Sequence, residues 1–251
     1  MTSMPWQIVN EGRYTEAMHH ALDEVLLDRL AEGALAPTLR FWYRETPAIP
    51  LGRFQAFEDE VAVDFVEAHS IPVVRRITGG GAMYVEPGNV ITYSMYLPRD
   101  AVPADVEESY EALDQWVIDA LSRVDLDVRH EPLNDLVHPA GKIGGSAQLR
   151  TRDAVLHHTT MSYDLDIESM LRVLRIGDEK VSDKAVSSAE KRVAVMREHI
   201  DASREEVIDA LVASFEDVYG GSTASLDDDI LDTARDLAAS KFSSPEWNRK
   251  L

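Results

Sequence analysis

Cysteine is absent from all 251 residues of this chain. Disulfide bonds, thiolate metal sites and cysteine nucleophiles are therefore excluded. Long hydrophobic runs are missing too: no apolar stretch approaches the length of a membrane span, and the N-terminus lacks the pattern of a secretory signal peptide. We therefore expect a soluble cytoplasmic protein with no membrane partner.

Positive charge is scarce. The sequence has 45 acidic residues against 25 basic ones, a net charge of −20, and only six of the basic residues are lysine. A lysine-poor acidic surface around a well-stocked apolar core favours a protein that works at high salt, as in a halophilic archaeon, where ions screen self-repulsion. An ordinary acidic cytosolic protein is the alternative. Nucleic-acid binding is not expected, because the sequence contains no basic stripe.

Linkers, low-complexity tracts and internal repeats are also missing. The sequence predicts a single domain over residues 1–251, with a main body to about residue 220 and a helical C-terminal extension from about residue 222. Apolar spacing predicts helices at 15–32, 106–124, 204–219 and 228–242, and a hairpin of strands 143–150 and 154–163. Helices that separate groups of adjacent strands favour an α+β fold with a central mixed, largely antiparallel sheet flanked by helices.

Glycine is concentrated in two places. Three glycines, Gly79–Gly81, follow an apolar strand and Arg76, and a short strand with a Pro-Gly turn is predicted after them at 82–89. Backbone without Cβ atoms approaches a ligand closely and points N–H groups at anionic oxygens, while an arginine fork suits carboxylate or phosphate. Lys142 lies in the second glycine-rich segment, 141–145. Together the two segments indicate a site for a nucleotide or another activated acid.

Familiar glycine motifs do not fit these segments. The triple glycine lies between strands without the G-x-G-x-x-G spacing of a dinucleotide fold, and Ile143 follows Lys142 where a P-loop requires Ser or Thr. A plain hairpin turn and a surface lysine are the alternatives. His157 and His158 suggest a metal, but neighbouring strand residues face opposite ways, which favours a structural or substrate-orienting role.

Several separated segments resemble, in order, the motifs of the lipoate–protein ligase A family, within the biotin/lipoate ligase and lipoyl/octanoyl transferase superfamily. They are LGRFQ at 51–55, RITGGGA at 76–82, Asn89 after that loop, NDLV at 134–137, KIGGSAQ at 142–148, HHTT at 157–160, VSDK at 181–184 and RV at 192–193. The resemblance implies the fold shared by these ligases and class II synthetases, a central mixed sheet flanked by helices.

The resemblance also implies a two-step activity. Lipoate and ATP give lipoyl-AMP and pyrophosphate, and a lysine of an acyl carrier domain then attacks the anhydride to form an amide. Lys142 would be the catalytic residue, bridging the acyl carbonyl and the phosphate, and Asp135 a Mg²⁺ ligand. The implied ATP and lipoyl-AMP site comprises Arg76, Gly79, Gly80, Gly81, Ala82, Met83, Tyr84, Asn89, Asn134, Lys142, Ala147 and His158. Implied partners are the lipoyl domain of a 2-oxoacid dehydrogenase E2 or the glycine-cleavage H protein.

Two departures from the family pattern affect the expected function. The family's HHGT is HHTT here, so one glycine is lost. We also expect this chain to lack the small accessory domain that follows the catalytic domain in one-chain ligases, because the family's catalytic-domain end resembles the residues around Trp247. A separate accessory protein would then supply it. The alternatives are an octanoyl- or lipoyl-transferase, which in this superfamily uses a cysteine thioester that this chain cannot form, and a non-catalytic acyl- or adenylate-binding protein.

Overall fold

The structure is a computed structural model that describes residues 5–175 and 193–251. The resembling segments at 181–184 and Arg192 lie outside the described residues. Within the described ranges, no helix is both long and apolar enough to cross a membrane.

An eight-stranded sheet forms the centre of the molecule, and two small parallel pairs lie beside it. Its strand order is β12-β1-β3-β7-β11-β10-β9-β8. The strands of the three sheets are β1 Gln7–Val9, β2 Arg13–Tyr14, β3 Thr38–Phe41, β4 Tyr43–Arg44, β5 Ile49–Leu51, β6 Val73–Arg75, β7 Val90–Pro98, β8 Arg129–Glu131, β9 Asp135–His138, β10 Gly141–Arg150, β11 Ala154–Ser162 and β12 Ser222–Thr223. In this eight-stranded sheet, β12, β1 and β3 are parallel to one another. Each neighbouring pair after them in the sheet, from β3–β7 to β9–β8, is antiparallel. The predicted mixed, largely antiparallel sheet is confirmed.

Helices cover both faces of this sheet. They are α1 Glu16–Ala31, α2 Phe57–Glu60, α3 Val63–Ala68, α4 Val106–Ser122, α5 Ile167–Val173, α6 Arg204–Tyr219, α7 Asp228–Leu237 and α8 Pro245–Asn248, with a π-helical turn Ala238–Phe242 after α7. Side-chain caps fix the starts of the three longest helices: Thr15 accepts from the amide of Met18, Asp105 caps α4, and Ser203 forms a capping box before α6.

The two faces have separate cores. Helices α4 and α6 pack on one face around Trp116, Leu211 and Phe215. Helix α1, α7 and the turn after α7 pack on the other face around Leu22, Leu26 and Phe242. Side chains alternate between faces along a strand, so β7, β10 and β11 contribute to both cores.

Most of the predicted elements occur where the pattern placed them. Helix α1 and the β10–β11 hairpin confirm the predictions at 15–32 and at 143–163. The strand predicted at 82–85 is wrong, because the structure has only an isolated bridge between Val85 and Ala48. The next residue of the facing segment that could exchange hydrogen bonds with this strand is Pro50. Its carbonyl accepts from the Met83 amide, but proline has no N–H to donate in return, so the ladder stops there. Residues 222–223 form the edge strand β12 before the C-terminal helices.

Candidate active site

Two short parallel strands, β5 and β6, place the glycine loop beside the segment 52–55. The two segments approach so closely that a Cβ atom on Gly52 would lie 1.9 Å from the carbonyl oxygen of Gly80. The amide of Arg53 donates to the Thr78 carbonyl over 2.9 Å, and Gln55 Oε1 accepts from the Gly52 amide over 2.8 Å. The segment GRFQ therefore braces the glycine loop from behind.

The glycine loop presents free amides. Within residues 5–175 and 193–251, the backbone N–H groups of Gly79, Gly80, Gly81 and Ala82 donate to no other group. The buried Arg76 guanidinium holds the loop through the Gly79 carbonyl, 3.0 Å from Nε and 2.6 Å from Nη2. Burial lowers the pKa of Arg76 to about 10, so it is charged at neutral pH. An anion here would face successive amides and a nearby cation, which suits phosphate or carboxylate oxygens.

Gly80 is needed for this loop on two grounds. Its φ is +94°, a left-handed conformation that side chains rarely adopt. A Cβ atom there would also lie 2.6 Å from Arg76 Nη2. Gly81 differs, because nothing lies within 4 Å of the Cβ position.

A β-bulge places Lys142 in the site. The register between β10 and β9 shifts between Lys142 and Gly144. A Cβ atom on Gly144 would lie 2.8 Å from Met161 Cγ, and one on Gly145 would lie 3.1 Å from Lys142 Nζ. The glycine pair thus lets β10 lie close to β11 and leaves room for the ammonium group. Lys142 Nζ is 2.6 Å from Asp135 Oδ1, and both side chains are partly exposed, at 46% and 34%.

Both glycine-rich segments open onto one cavity of about 260 Å³. Its polar lining comprises Arg76, Gly80, Gly81, Asn134, Lys142, Gly144, Gly145, Ser146, His158, Thr160 and Ser162. Its apolar lining comprises Ala82, Met83, Ile143, Ala147, Leu165, Met170 and Val193. A cavity with this lining fits a ligand with an anionic head and an apolar chain.

A buried relay connects the glycine loop to helix α1. Thr78 Oγ1 lies 2.9 Å from His158 Nε2, and His158 Nδ1 lies 3.1 Å from Asp23 Oδ2. Burial alone raises the pKa of Asp23, but the hydrogen bond with His158 and the charge of Arg40 outweigh it and hold that pKa well below its usual range. Burial lowers the pKa of His158, so the ring is neutral at neutral pH. The ionised Asp23 only accepts, so His158 carries its proton on Nδ1 and accepts the Thr78 hydroxyl at Nε2.

His157 faces the opposite side of the sheet, as predicted. Its Nε2 lies 2.9 Å from Oδ1 of Asp114, a buried carboxylate on α4. Asp114 also accepts from Ser146 Oγ over 2.6 Å, and Ser146 lines the cavity. The two neighbouring histidines therefore hold separate aspartates on separate faces and share no ion.

Most of the predicted site residues line the cavity. These are Arg76, Gly80, Gly81, Ala82, Met83, Asn134, Lys142, Ala147 and His158. Gly79 adjoins the cavity wall and gives its carbonyl to Arg76. Tyr84 and Asn89 lie outside the wall: the Tyr84 hydroxyl donates to Glu86 over 3.0 Å, and Asn89 Oδ1 accepts from the Glu86 amide over 2.7 Å. Both therefore build the turn that leads into β7.

Asp135 also lies outside the cavity wall, paired with Lys142. Among the residues that the structure describes, no group of three or more His, Cys, Asp or Glu side chains is placed to hold a metal ion. A single carboxylate still fits Mg²⁺ when substrate phosphates and water supply the other ligands.

Sequence reasoning assigned no role in the site to Asp23 or Arg75, and none to the side chain of Thr78. Asp23 and Thr78 belong to the relay, and Arg75 donates to the carbonyls of residues 52, 53, 55, 247 and 248. One signal was present for Asp23: it lies on α1 one turn before the apolar residues Leu26 and Leu27, on the buried side of the helix. A charge at such a position indicates a buried partner.

Comparison with known proteins gives concordant findings. The family model described as the lipoyl protein ligase A/B catalytic domain matches residues 15–216. The chain is 31% identical to lipoate-protein ligase A subunit 1 of Thermoplasma acidophilum, over 93% of this chain and 92% of that protein. It is 28% identical to the octanoyltransferase LipM of Geobacillus kaustophilus, over the full length of both.

Solved structures point the same way. A structure of an archaeal lipoylation system, a bi-partite lipoate protein ligase and its E2 lipoyl domain from Thermoplasma acidophilum, matches with a TM-score of 0.86 and 28% identity, over 98% of this chain and 96% of that one. A lipoate-protein ligase A bound with ATP matches with a TM-score of 0.84 and 25% identity, over 99% of both chains.

Proposed function

The chain belongs to the lipoyl protein ligase A/B catalytic-domain family, and from this premise we propose that it is an ATP-dependent lipoate–protein ligase. It would convert lipoate and ATP into lipoyl-AMP and pyrophosphate. It would then transfer the lipoyl group to a lysine of an acyl carrier domain, in a 2-oxoacid dehydrogenase E2 or a glycine-cleavage H protein. The family and the fold implied by the sequence resemblance are confirmed.

One observation carries the proposal: the free amides of the glycine loop and the Lys142 ammonium open onto the same cavity. Adenylation brings two anions together, the lipoate carboxylate and the α-phosphate of ATP, so cationic and N–H donors must offset their repulsion. In the transfer step the acceptor lysine attacks the acyl carbonyl carbon and AMP leaves, and negative charge develops on the carbonyl oxygen, where losing one donor costs on the order of 3 kcal/mol. Lys142 is a flexible point charge beside that cavity and suits this role.

The apolar lining supports an acyl substrate. Met83, Ile143, Leu165, Met170 and Val193 surround the cavity with aliphatic and thioether groups. Such a surface accepts a carbon chain and discriminates weakly between chains of similar size. It therefore suits lipoate and leaves octanoate as a second substrate.

A transferase is the second candidate, favoured by the similarity to the octanoyltransferase LipM. The transferases of this superfamily that the sequence resembles use a cysteine thioester, and this chain has no cysteine. The ATP-bound neighbour with 99% coverage also supports the ligase.

Mg²⁺ and a protein partner belong to the same proposal. Asp135 would hold Mg²⁺ together with the ATP phosphates, and the ion would neutralise phosphate charge. Residues 1–251 would form one catalytic domain that works with a separate accessory protein, as the bi-partite arrangement of the Thermoplasma structure suggests. Cytoplasmic location and adaptation to high salt stay predictions from composition.

The test is lipoate-dependent release of pyrophosphate from ATP, in high KCl with Mg²⁺, with and without a candidate accessory protein. Lys142→Ala should abolish release with the fold intact, because its side chain is half exposed. Arg123→Ala is the matched control, since Arg123 is 42% exposed, pairs with Asp217 over 2.9 Å and does not line the cavity.

Each outcome separates the candidates. The ligase is supported if pyrophosphate release is abolished in Lys142→Ala and unchanged in Arg123→Ala. Near-normal release by Lys142→Ala contradicts the role of that lysine. Acyl transfer between carrier and acceptor domains without any pyrophosphate release would replace the ligase by a cysteine-free transferase, and ATP binding without either reaction would indicate a non-catalytic binder.

A further inference from the structure

Cations lie close together around Trp247, although the chain as a whole is strongly acidic. The ammonium groups of Lys241 and Lys250 lie 4.1 and 3.7 Å from its ring centroid. Burial first, and then the charges of Arg53, Arg75 and Lys241, lower the pKa of Lys250. We call the exposed part of this region, formed by Arg53, Phe54, Lys241, Trp247 and Lys250, the basic patch.

The basic patch has surplus positive charge. Lys241 pairs with Glu24 over 2.5 Å. No carboxylate of the described residues lies within salt-bridge distance of Arg53 or Lys250. On a chain with 45 acidic and 25 basic residues, two such cations beside each other depart from the general surface.

An exposed aromatic ring lies within the basic patch. The Phe54 side chain has 77% of its surface exposed, and the Arg53 guanidinium lies 5.7 Å from its ring centroid. A large apolar ring held in water next to arginine and lysine is typical of the anchor residues of protein interfaces, where aromatic side chains and arginine are enriched.

The basic patch adjoins the candidate active site. The ring of Phe54 lies 3.9 Å from the position of a Cβ atom on Gly79, and the next residue, Gly80, lines the cavity. Arg53 donates its amide to the carbonyl of Thr78 in the same loop. A macromolecule bound to the patch would therefore lie at the rim of the cavity.

We propose that the basic patch docks the acyl-acceptor domain, through carboxylates that pair with Lys250 and Arg53 and an apolar recess that takes Phe54. This inference rests on the proposed function, because only an acceptor lysine has to reach an activated carboxyl in the cavity. On a chain with a net charge of −20, a local patch of opposite charge is effective in selecting one orientation of a partner that presents carboxylates. The proposed occupant of the basic patch is a protein with an acidic surface. The alternative is that the patch binds the ATP phosphates, and the test distinguishes the two.

The test compares the wild-type chain with the double variant Lys241→Gln/Lys250→Glu, with an E2 lipoyl domain from the same organism as acceptor. Two quantities are measured separately: pyrophosphate release without acceptor, and transfer of the acyl group from preformed lipoyl-AMP to the acceptor at varied acceptor concentration. Arg123→Glu, a charge reversal at the exposed C-cap of α4, is the matched control.

We expect the double variant to raise the KM for the acceptor by about tenfold or more, with pyrophosphate release within about twofold of wild type and Arg123→Glu unchanged in both. Added KCl should raise the wild-type KM more steeply than that of the variant. An unchanged KM for the acceptor overturns the proposal. A raised KM for ATP with an unchanged KM for the acceptor also overturns it and assigns the patch to nucleotide binding.

Failure of the docking proposal is distinguishable from failure of the proposed function. If the wild-type chain releases no pyrophosphate either alone or with the accessory protein, the ligase function fails. Direct binding of the acceptor domain to wild type and double variant, measured by calorimetry, then still tests the patch: equal affinities reject it, and weaker binding by the variant retains it.

Discussion

Replacement of Gly52 by alanine is the sharpest test of how the glycine loop is built. The added methyl group would lie 1.9 Å from the carbonyl oxygen of Gly80, whereas real Cβ atoms essentially never come within 3.0 Å of such an atom. The contact is with backbone on both sides, so no flexible side chain can yield. The glycine loop itself must therefore move.

The size of that movement sets the expected loss. The Gly80 oxygen has to retreat by about 1 Å, and a misplacement of that size at a reacting centre costs about 100-fold in rate. This corresponds to about 2.7 kcal/mol of transition-state stabilisation. The cost in folding stability should be that of an overpacked site, about 1–3 kcal/mol.

The assay is lipoate-dependent pyrophosphate release, together with the free energy of unfolding from denaturant titration. Gly33→Ala is the control: Gly33 has a φ of +73° with nothing within 4 Å of its Cβ position, and it follows helix α1 away from the cavity. It should lose about 1 kcal/mol of stability and keep full activity. A Gly52→Ala variant that is folded and releases pyrophosphate at the wild-type rate would refute the proposed link between this contact and the reaction.

Further expectations concern the buried charges. Arg75→Met should destabilise the protein by at least about 3 kcal/mol, because five carbonyls lose a hydrogen bond from Arg75 and unpaired buried groups cost about 1–3 kcal/mol each. Faster proteolysis of the C-terminal helices would show this loss of stability. Proteolysis at the wild-type rate would contradict the prediction. Asp23→Asn should cost about 3–5 kcal/mol, since it leaves the buried Arg40 without its counter-ion; unchanged denaturant stability would exclude this ion pair as a major contributor. His19 and His158 have lowered pKa values, chiefly through burial, so the unfolded chain binds protons that the folded chain refuses. Stability should therefore be full above the ordinary histidine pKa of about 6.5 and fall as the pH drops below it; equal free energies of unfolding at pH 7.5 and pH 5.5 would contradict this.

The local elements followed from local pattern. Helix α1 begins directly after Thr15, because the hydroxyl of this residue caps the first turn. His157 and His158 point to opposite faces of the sheet because side chains alternate along a strand. The strand expected at 82–85 failed, because strand pairing depends on the facing segment, which carries Pro50. A sequence window does not contain its own pairing partner.

The sequence by itself determined the family, the long helices, the β10–β11 hairpin and the two glycine-rich segments with their cations, because each of these depends on short segments of sequence or on their order along the chain. Only the tertiary structure decided what those segments do to each other. It set Gly52 against Gly80 and tied Thr78 through His158 to Asp23 on a distant helix. It also placed Tyr84 and Asn89 outside the cavity. These are contacts between residues far apart in the chain, and their geometry is fixed by packing on both faces of one sheet.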